Sequence, residues 1–99
     1  MYKTWVEISK KALRNNIQQF RELIGVKVGL MAVVKANAYG HGLIGVAKIA
    51  IKSGASWLGV DSIDEAIEIR KAGINAPILI MGYTLLSRLK DVVKYDLRQ

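Results

Sequence analysis

The 99-residue sequence has no cysteine, one proline and one histidine. The absence of cysteine excludes a disulfide framework, a thiolate zinc site and a cysteine nucleophile. No apolar stretch approaches the roughly 20 uninterrupted residues that a membrane helix needs. The amino terminus also lacks the apolar segment of a secretory signal. We therefore expect a cytoplasmic protein, not associated with a membrane, whose chemistry uses groups other than thiols.

Acidic residues are also scarce: 8 Asp and Glu stand against 15 Lys and Arg, for a formal net charge of +7. A basic protein of this kind could bind nucleic acid. However, the basic residues are scattered and fall mostly where predicted helices have a polar face, and no segment is a basic run with interleaved aromatics. This distribution favours a solvated surface and no nucleic-acid partner.

Apolar residues make up 52% of the sequence, so the chain should pack a core. Changes in apolar period divide it into alternating strands and helices. The predicted strands span residues 4–8, 28–34, 57–60 and 78–81. The predicted helices run from Ser9 to Gly25, from Leu43 to Gly54, from Ser62 to Gly73 and from Leu85 to Val93. The 28–34 segment is almost continuously apolar, which predicts a strand buried on both faces of a parallel sheet.

Strands that alternate with helices in this way predict an α/β fold with a parallel sheet. A (β/α)₈ barrel and an open doubly wound sheet both fit the pattern. A barrel takes about 250 residues, so 99 residues cannot close one. We expect the front portion of a larger domain, with an unpaired sheet edge after residues 78–81 that would be an aggregation hazard.

Reactive groups in parallel α/β folds lie where strands end. The strand ends here are Lys35, Asp61 and Gly82-Tyr83. Lys35 is the most informative of them because it follows seven residues of apolar strand. A lysine at the mouth of a buried strand is partly desolvated, which favours a neutral amine able to form a Schiff base. The alternative is that Lys35 only extends to solvent.

A second motif, G-x-G-x-x-G, spans residues 40–45 between a predicted strand and a helix. In a dinucleotide site the first glycine turns directly off the strand, whereas five residues intervene here. A nicotinamide site is therefore disfavoured, and the glycines are explained by a tight loop and a close helix approach.

The string AVVKANAYGHG at residues 32–42 resembles the pyridoxal-phosphate-binding signature of bacterial alanine racemases. The resemblance covers almost the whole chain. It continues through WVEI at residues 5–8, GASWLGV at 54–60, DEA at 64–66 and APIL at 76–79. It implies that residues 1–99 are the amino-terminal part of a TIM-type (β/α)₈ barrel that binds pyridoxal 5'-phosphate. In this family the barrel is followed by a carboxy-terminal β domain, which these residues do not include.

The resemblance also implies roles for two residues. Lys35 would form the internal aldimine with the cofactor and act as one of two acid/base groups that exchange the alanine Cα proton. The Tyr39 hydroxyl would bind the cofactor phosphate. His41 and Asn37 are expected to shape the loop, and Asp61 to cap the following helix alongside Ser62.

The implied function is interconversion of L-alanine and D-alanine, supplying D-alanine for peptidoglycan, by a homodimer whose second base is a partner-subunit tyrosine. Because that tyrosine, the substrate-carboxylate arginine and most phosphate ligands lie downstream in the family, we expect residues 1–99 alone to be inactive. No metal site is expected. A non-catalytic pyridoxal-phosphate carrier and a related barrel decarboxylase are the alternatives.

Overall fold

Helix α1 begins directly after Ser9 in the computed structural model, which describes residues 9–35, 38 and 42–99. The elements in order are α1 (Lys10–Ile24), β1 (Met31–Val33), α2 (Leu43–Lys52), β2 (Trp57–Val60), α3 (Ile63–Lys71), β3 (Ile78–Ile80), a 3₁₀ turn (Leu86–Arg88) and α4 (Leu89–Lys94). The strand predicted at residues 4–8 lies outside the described residues. Strands and helices alternate as the sequence predicts.

Two polar side chains fix where helices start. The Ser9 hydroxyl accepts a hydrogen bond from the Ala12 N–H at 3.1 Å, and the Ser62 hydroxyl accepts one from the Glu65 N–H at 3.2 Å. Such N-caps satisfy backbone donors that have no partner within the helix. Both predicted helix starts are therefore confirmed.

The three strands form one parallel sheet in the order β1-β2-β3. Even-numbered residues point to a face where they are buried with apolar residues of α2 and α3. The most buried of them are Val34, Leu58, Val60, Ile78 and Ile80. Neighbouring helices pack in chain order, α1 on α2 and α2 on α3.

The opposite face of the sheet is largely open. Val33 is 40% exposed and Met81 is 42% exposed, while Met31 and Leu79 are half-buried. A doubly wound sheet carries helices on both faces, whereas a barrel carries them only on its outside. The one-sided arrangement favours the barrel of the two architectures that the sequence left open.

Strand β1 differs from its prediction. Only Met31–Val33 is strand, and its residues are half-buried or exposed, so the prediction of a 28–34 strand buried on both faces is wrong. Within the described residues, β1 pairs with β2 alone and helices cover one of its faces. Because a continuous apolar run does not reveal how many sides are covered, the sequence overestimated its burial.

The outer edge of β3 is also different from the prediction, because the last residues of the chain lie along it. The Ile80 N–H donates to the Arg98 carbonyl at 2.7 Å, and the Arg98 N–H donates to the Ile78 carbonyl at 2.9 Å. Leu97 is 4% exposed and anchors this segment in the core. The edge predicted to be unpaired therefore has a partner over part of its length.

Two arginines donate hydrogen bonds to backbone carbonyls of the loops that lead into the strands. The Arg21 Nε and Nη2 atoms donate to the Gly54 carbonyl at 3.1 and 2.6 Å, and Nη1 donates to the Gly25 carbonyl at 3.1 Å. Arg70 Nη1 donates to the Ile74 and Ala76 carbonyls at 3.0 and 2.7 Å. Each guanidinium supplies several donors in a fixed plane, so each fixes the path of the chain into the next strand.

None of the helices in the described residues is long and apolar enough to span a bilayer.

Replacing Arg21 tests whether it fixes the loop before β2. We expect Arg21→Met to lower the free energy of unfolding by about 1.5–3 kcal/mol, the range for hydrogen bonds to charged groups. Arg14→Met changes an exposed arginine on the same helix and should stay within about 0.5 kcal/mol of the parent. Chemical denaturation measures both, and equal effects would show that Arg21 has no special role.

The change in Tm at acidic pH tests whether the Asp96 carboxylate stabilises the segment that follows α4. The Arg98 guanidinium donates to the Asp96 carboxylate at 2.9 Å, and this hydrogen bond lowers the pKa of Asp96 below its usual 3.8. Because the pKa of Asp96 is lower in the folded state than in the unfolded state, the carboxylate stabilises the fold at pH values above the unfolded-state pKa. This stabilisation is lost as the pH falls through the folded-state pKa. Asp96→Asn should therefore lower Tm at neutral pH, and its difference from the parent should vanish in acid. A difference that persists there would contradict this origin.

Candidate active site

Because the strands are parallel, the three loops that follow them leave the sheet on the same side, at the carboxyl ends of the strands. Lys35 follows β1, Asp61 follows β2 and Gly82 follows β3. Backbone hydrogen bonds continue the sheet into these loops. The Val34 N–H donates to the Gly59 carbonyl at 2.8 Å, and the Gly82 N–H donates to the Asp61 carbonyl at 3.0 Å. The three predicted strand-end positions therefore lie side by side.

Lys35 begins a helical turn directly after β1. The Ala38 N–H donates to the Val34 carbonyl at 2.7 Å, and Val34 and Ala38 are 1% and 4% exposed. Lys35 itself is half-buried. The two buried neighbours anchor the turn, so the backbone that carries the amine is fixed by the core.

Lys35 lines a cleft of about 380 Å³ together with Asp61, Ser62 and Glu65. The lysine contributes one cation, and the aspartate and the glutamate contribute two carboxylates. A primary amine at the edge of an open cleft can react with a carbonyl carbon and can take up or release a proton. The neighbouring carboxylates favour cationic groups in the same space.

The start of α3 forms the acidic wall of this cleft. Glu65 Oε1 accepts hydrogen bonds from the Asp61 N–H at 3.0 Å and the Ser62 N–H at 3.3 Å, while its own N–H donates to Ser62. This is the reciprocal capping box that the Ser62–Glu65 spacing predicts. Asp61 was expected to cap α3 with its side chain, but it contributes its backbone N–H instead.

Two glycines allow close contacts around β2 and the loop that follows it. A Cβ atom at Gly82 would overlap the Asp61 backbone carbonyl and lie 2.9 Å from Asp61 Oδ1. A Cβ at Gly59 would lie 3.0 Å from the Met31 sulfur and 3.3 Å from Met81 Cε. Gly82 thus allows β3 to pass close to Asp61, and Gly59 allows two methionines to meet over the open face of β2.

The sequence identified Lys35, and the structure brings it together with Asp61, which was assigned only a capping role. Tyr39, Asn37 and His41 lie outside the described residues, so their roles stay predictions. Ser62 and Glu65 were recognised only as a helix start. The register of β1 on β2 was the missing information, because it brings the start of α3 beside Lys35. In the described part of the chain, no three His, Cys, Asp or Glu side chains form a group that could hold a metal ion.

A parallel sheet with helices on one face and a lysine at a strand end defines a barrel-type α/β unit with its site at the carboxyl ends of the strands. The alanine racemase N-terminal domain family matches residues 8–99, and the chain belongs to this family. This confirms the resemblance found in the sequence, and with it the fold class, part of a TIM-type (β/α)₈ barrel.

Individual relatives agree with the family match. Alanine racemase from Synechocystis is 54% identical over 80 residues, which are 81% of this chain and 22% of that protein. Alanine racemase 2 from Bacillus subtilis is 47% identical over 93 residues, 94% of this chain and 24% of that protein. The chain therefore spans about a quarter of the length of these relatives.

Solved structures superpose closely. Alanine racemase from Bacillus anthracis with bound L-Ala-P matches 98% of this chain and 25% of its own chain, with a TM-score of 0.92 and 43% identity. Alanine racemase from E. faecalis matches 91% of this chain and 24% of its own, with a TM-score of 0.88 and 42% identity.

A methyl group at Gly82 tests how closely β3 must approach Asp61. Because a Cβ there overlaps the Asp61 carbonyl, we expect Gly82→Ala to destabilise the fold by about 1–3 kcal/mol. Gly45→Ala is the matched control, since a Cβ at this exposed position in α2 meets nothing within 4 Å. Gly45→Ala should raise the free energy of unfolding by about 0.5–1 kcal/mol, because alanine is more stable than glycine inside a helix. Thermal denaturation that gives both changes the same sign would refute the close approach.

Proposed function

We propose that this chain is part of an alanine racemase and supplies the lysine that binds pyridoxal 5'-phosphate and moves the Cα proton. The whole enzyme would interconvert L-alanine and D-alanine. The observation that carries the proposal is Lys35, half-buried at the end of β1 and lining an open cleft. Family membership supports the same reading.

The residues around Lys35 fit one end of this cofactor. The aldehyde carbon requires a primary amine beside an accessible space, and Lys35 with its cleft of about 380 Å³ offers both. The Tyr39 hydroxyl would bind the phosphate, a role carried over from the sequence resemblance.

When bound, the cofactor withdraws electrons from the amino acid Cα and so acidifies its proton. Lys35 does the proton transfer at its Nζ atom: as a neutral amine it accepts the proton, and as an ammonium it returns one. The buried Val34 and Ala38 hold the backbone of the turn that carries this amine. A fixed amine beside the reacting carbon gains rate from orientation alone.

Inversion at Cα requires a second proton donor on the opposite face of the reacting carbon. We assign it to a tyrosine of the partner subunit in a homodimer, carried by a carboxy-terminal β domain outside residues 1–99. The substrate-carboxylate arginine would lie outside this stretch as well. Residues 1–99 would on this account be inactive alone, and the whole cytoplasmic enzyme would supply D-alanine for peptidoglycan.

Reductive trapping tests the amine directly. Borohydride treatment of the full-length protein with pyridoxal phosphate should label Lys35 above the other lysines, because among the lysines that the structure describes it is the one that lines this cleft. Peptide mass mapping measures the labelled fraction. Lys35→Ala should abolish the specific label, while Lys71→Arg, at an exposed position on α3, should leave it unchanged. Label scattered over surface lysines would contradict the assignment.

A further inference from the structure

Lys35 and Asp61 occupy equivalent positions at the ends of adjacent strands. Val33 on β1 and Gly59 on β2 are register partners. Lys35 follows Val33 by two positions, and Asp61 follows Gly59 by two positions. Both side chains line the same cleft. The parallel register therefore places Asp61 beside the start of the turn that carries Lys35.

The other carboxylate of the cleft has a structural task. Glu65 Oε1 accepts the backbone N–H groups of Asp61 and Ser62, and moving it toward Lys35 would break the capping box at the start of α3. Such a movement would leave the Asp61 and Ser62 N–H groups without this acceptor. Glu65 is therefore held at the helix, and its charge is partly offset by the helix N-terminus.

Asp61 has no comparable task for its side chain. In the described part of the chain, its carboxylate makes no hydrogen bond or ion pair with another residue. Its Oδ1 atom lies 2.9 Å from the point that a Gly82 Cβ would occupy. The missing side chain at Gly82 thus gives the Asp61 carboxylate room at the mouth of the cleft, while the Asp61 backbone is fixed by β3 and by Glu65.

We infer that Asp61 is a positioning residue for the amine of Lys35. Its carboxylate holds the ammonium form of Lys35 in the cleft and stabilises the positive charge that appears when Nζ accepts a proton. The reason is Coulombic: among the described residues that line the cleft there are one cation, one carboxylate committed to a helix cap and one carboxylate that makes no hydrogen bond or ion pair. This inference deepens the proposed function, on which it rests for its catalytic consequence.

Carbodiimide coupling in the full-length protein without cofactor tests the juxtaposition. The reagent activates the carboxyl group, and an amide bond forms between the Asp61 carboxyl carbon and Lys35 Nζ with loss of one water, taken up as the urea. Peptide mass mapping should find this cross-link in the parent and in Asp64→Asn, and not in Asp61→Asn or Lys35→Arg. Asp64 is the matched control because it pairs with Arg88 at 3.2 Å. A Lys35 cross-link to Glu65 in place of Asp61, or no cross-link, would overturn the inference.

Kinetics of alanine racemisation test the consequence. Asp61→Asn should lower kcat by about two- to fivefold, the range for partly exposed ion pairs, with little change in KM or Tm. Asp61→Glu should recover most of the loss, and Asp64→Asn should match the parent. A lower Tm that Asp61→Glu does not restore would indicate a structural role and overturn the inference. A parent without racemase activity would refute the proposed function alone, because the cross-link needs neither cofactor nor substrate.

Discussion

The parallel register of β1 on β2 is the constraint on which the site depends. It pairs Val33 with Gly59, and the chain then continues by two residues on each strand to Lys35 and Asp61. A shift of one residue would turn alternate side chains to the other face of the sheet, where helices α2 and α3 form the core. Val34 and Leu58 are buried on the helix-covered face, and Lys35 lines an open cleft. Core packing and site geometry are therefore set by the same pairing.

The start of α3 links stability to the site in a second way. Ser62 and Glu65 satisfy the first donors of the helix and also form one wall of the cleft. This use of Glu65 leaves Asp61 as the carboxylate that can respond to the charge of Lys35. Gly82 completes the arrangement, since any side chain there would collide with Asp61. A substitution at these positions is expected to change folding and cleft shape together.

Much of this arrangement could be predicted from sequence, and the limits have physical reasons. Helix starts at Ser9 and Ser62 depend on local hydrogen bonds, so a few residues identify them. The length and the burial of strand β1 were overestimated, because the apolar run at residues 28–34 does not show which face of the strand is covered. The pairing of Arg98 with β3 was missed because a segment this short shows no apolar period. Lys35 was found from its position after a strand, but its neighbour in the cleft, Asp61, could be identified only from the register between strands, which no local pattern encodes.

Hydrogen exchange at the alanine Cα most directly tests the central claim that Lys35 moves this proton. The measurement incubates the full-length protein with pyridoxal phosphate and alanine in deuterated water and follows deuterium at Cα. Deuterium is expected to enter Cα and both enantiomers to form, while Lys35→Ala abolishes racemisation and lowers the exchange, because only the group on the opposite face of Cα remains. A protein that binds the cofactor but leaves the Cα proton in place would be a carrier, and loss of carbon dioxide would indicate a decarboxylase. Undiminished exchange by the Lys35→Ala variant would contradict the account.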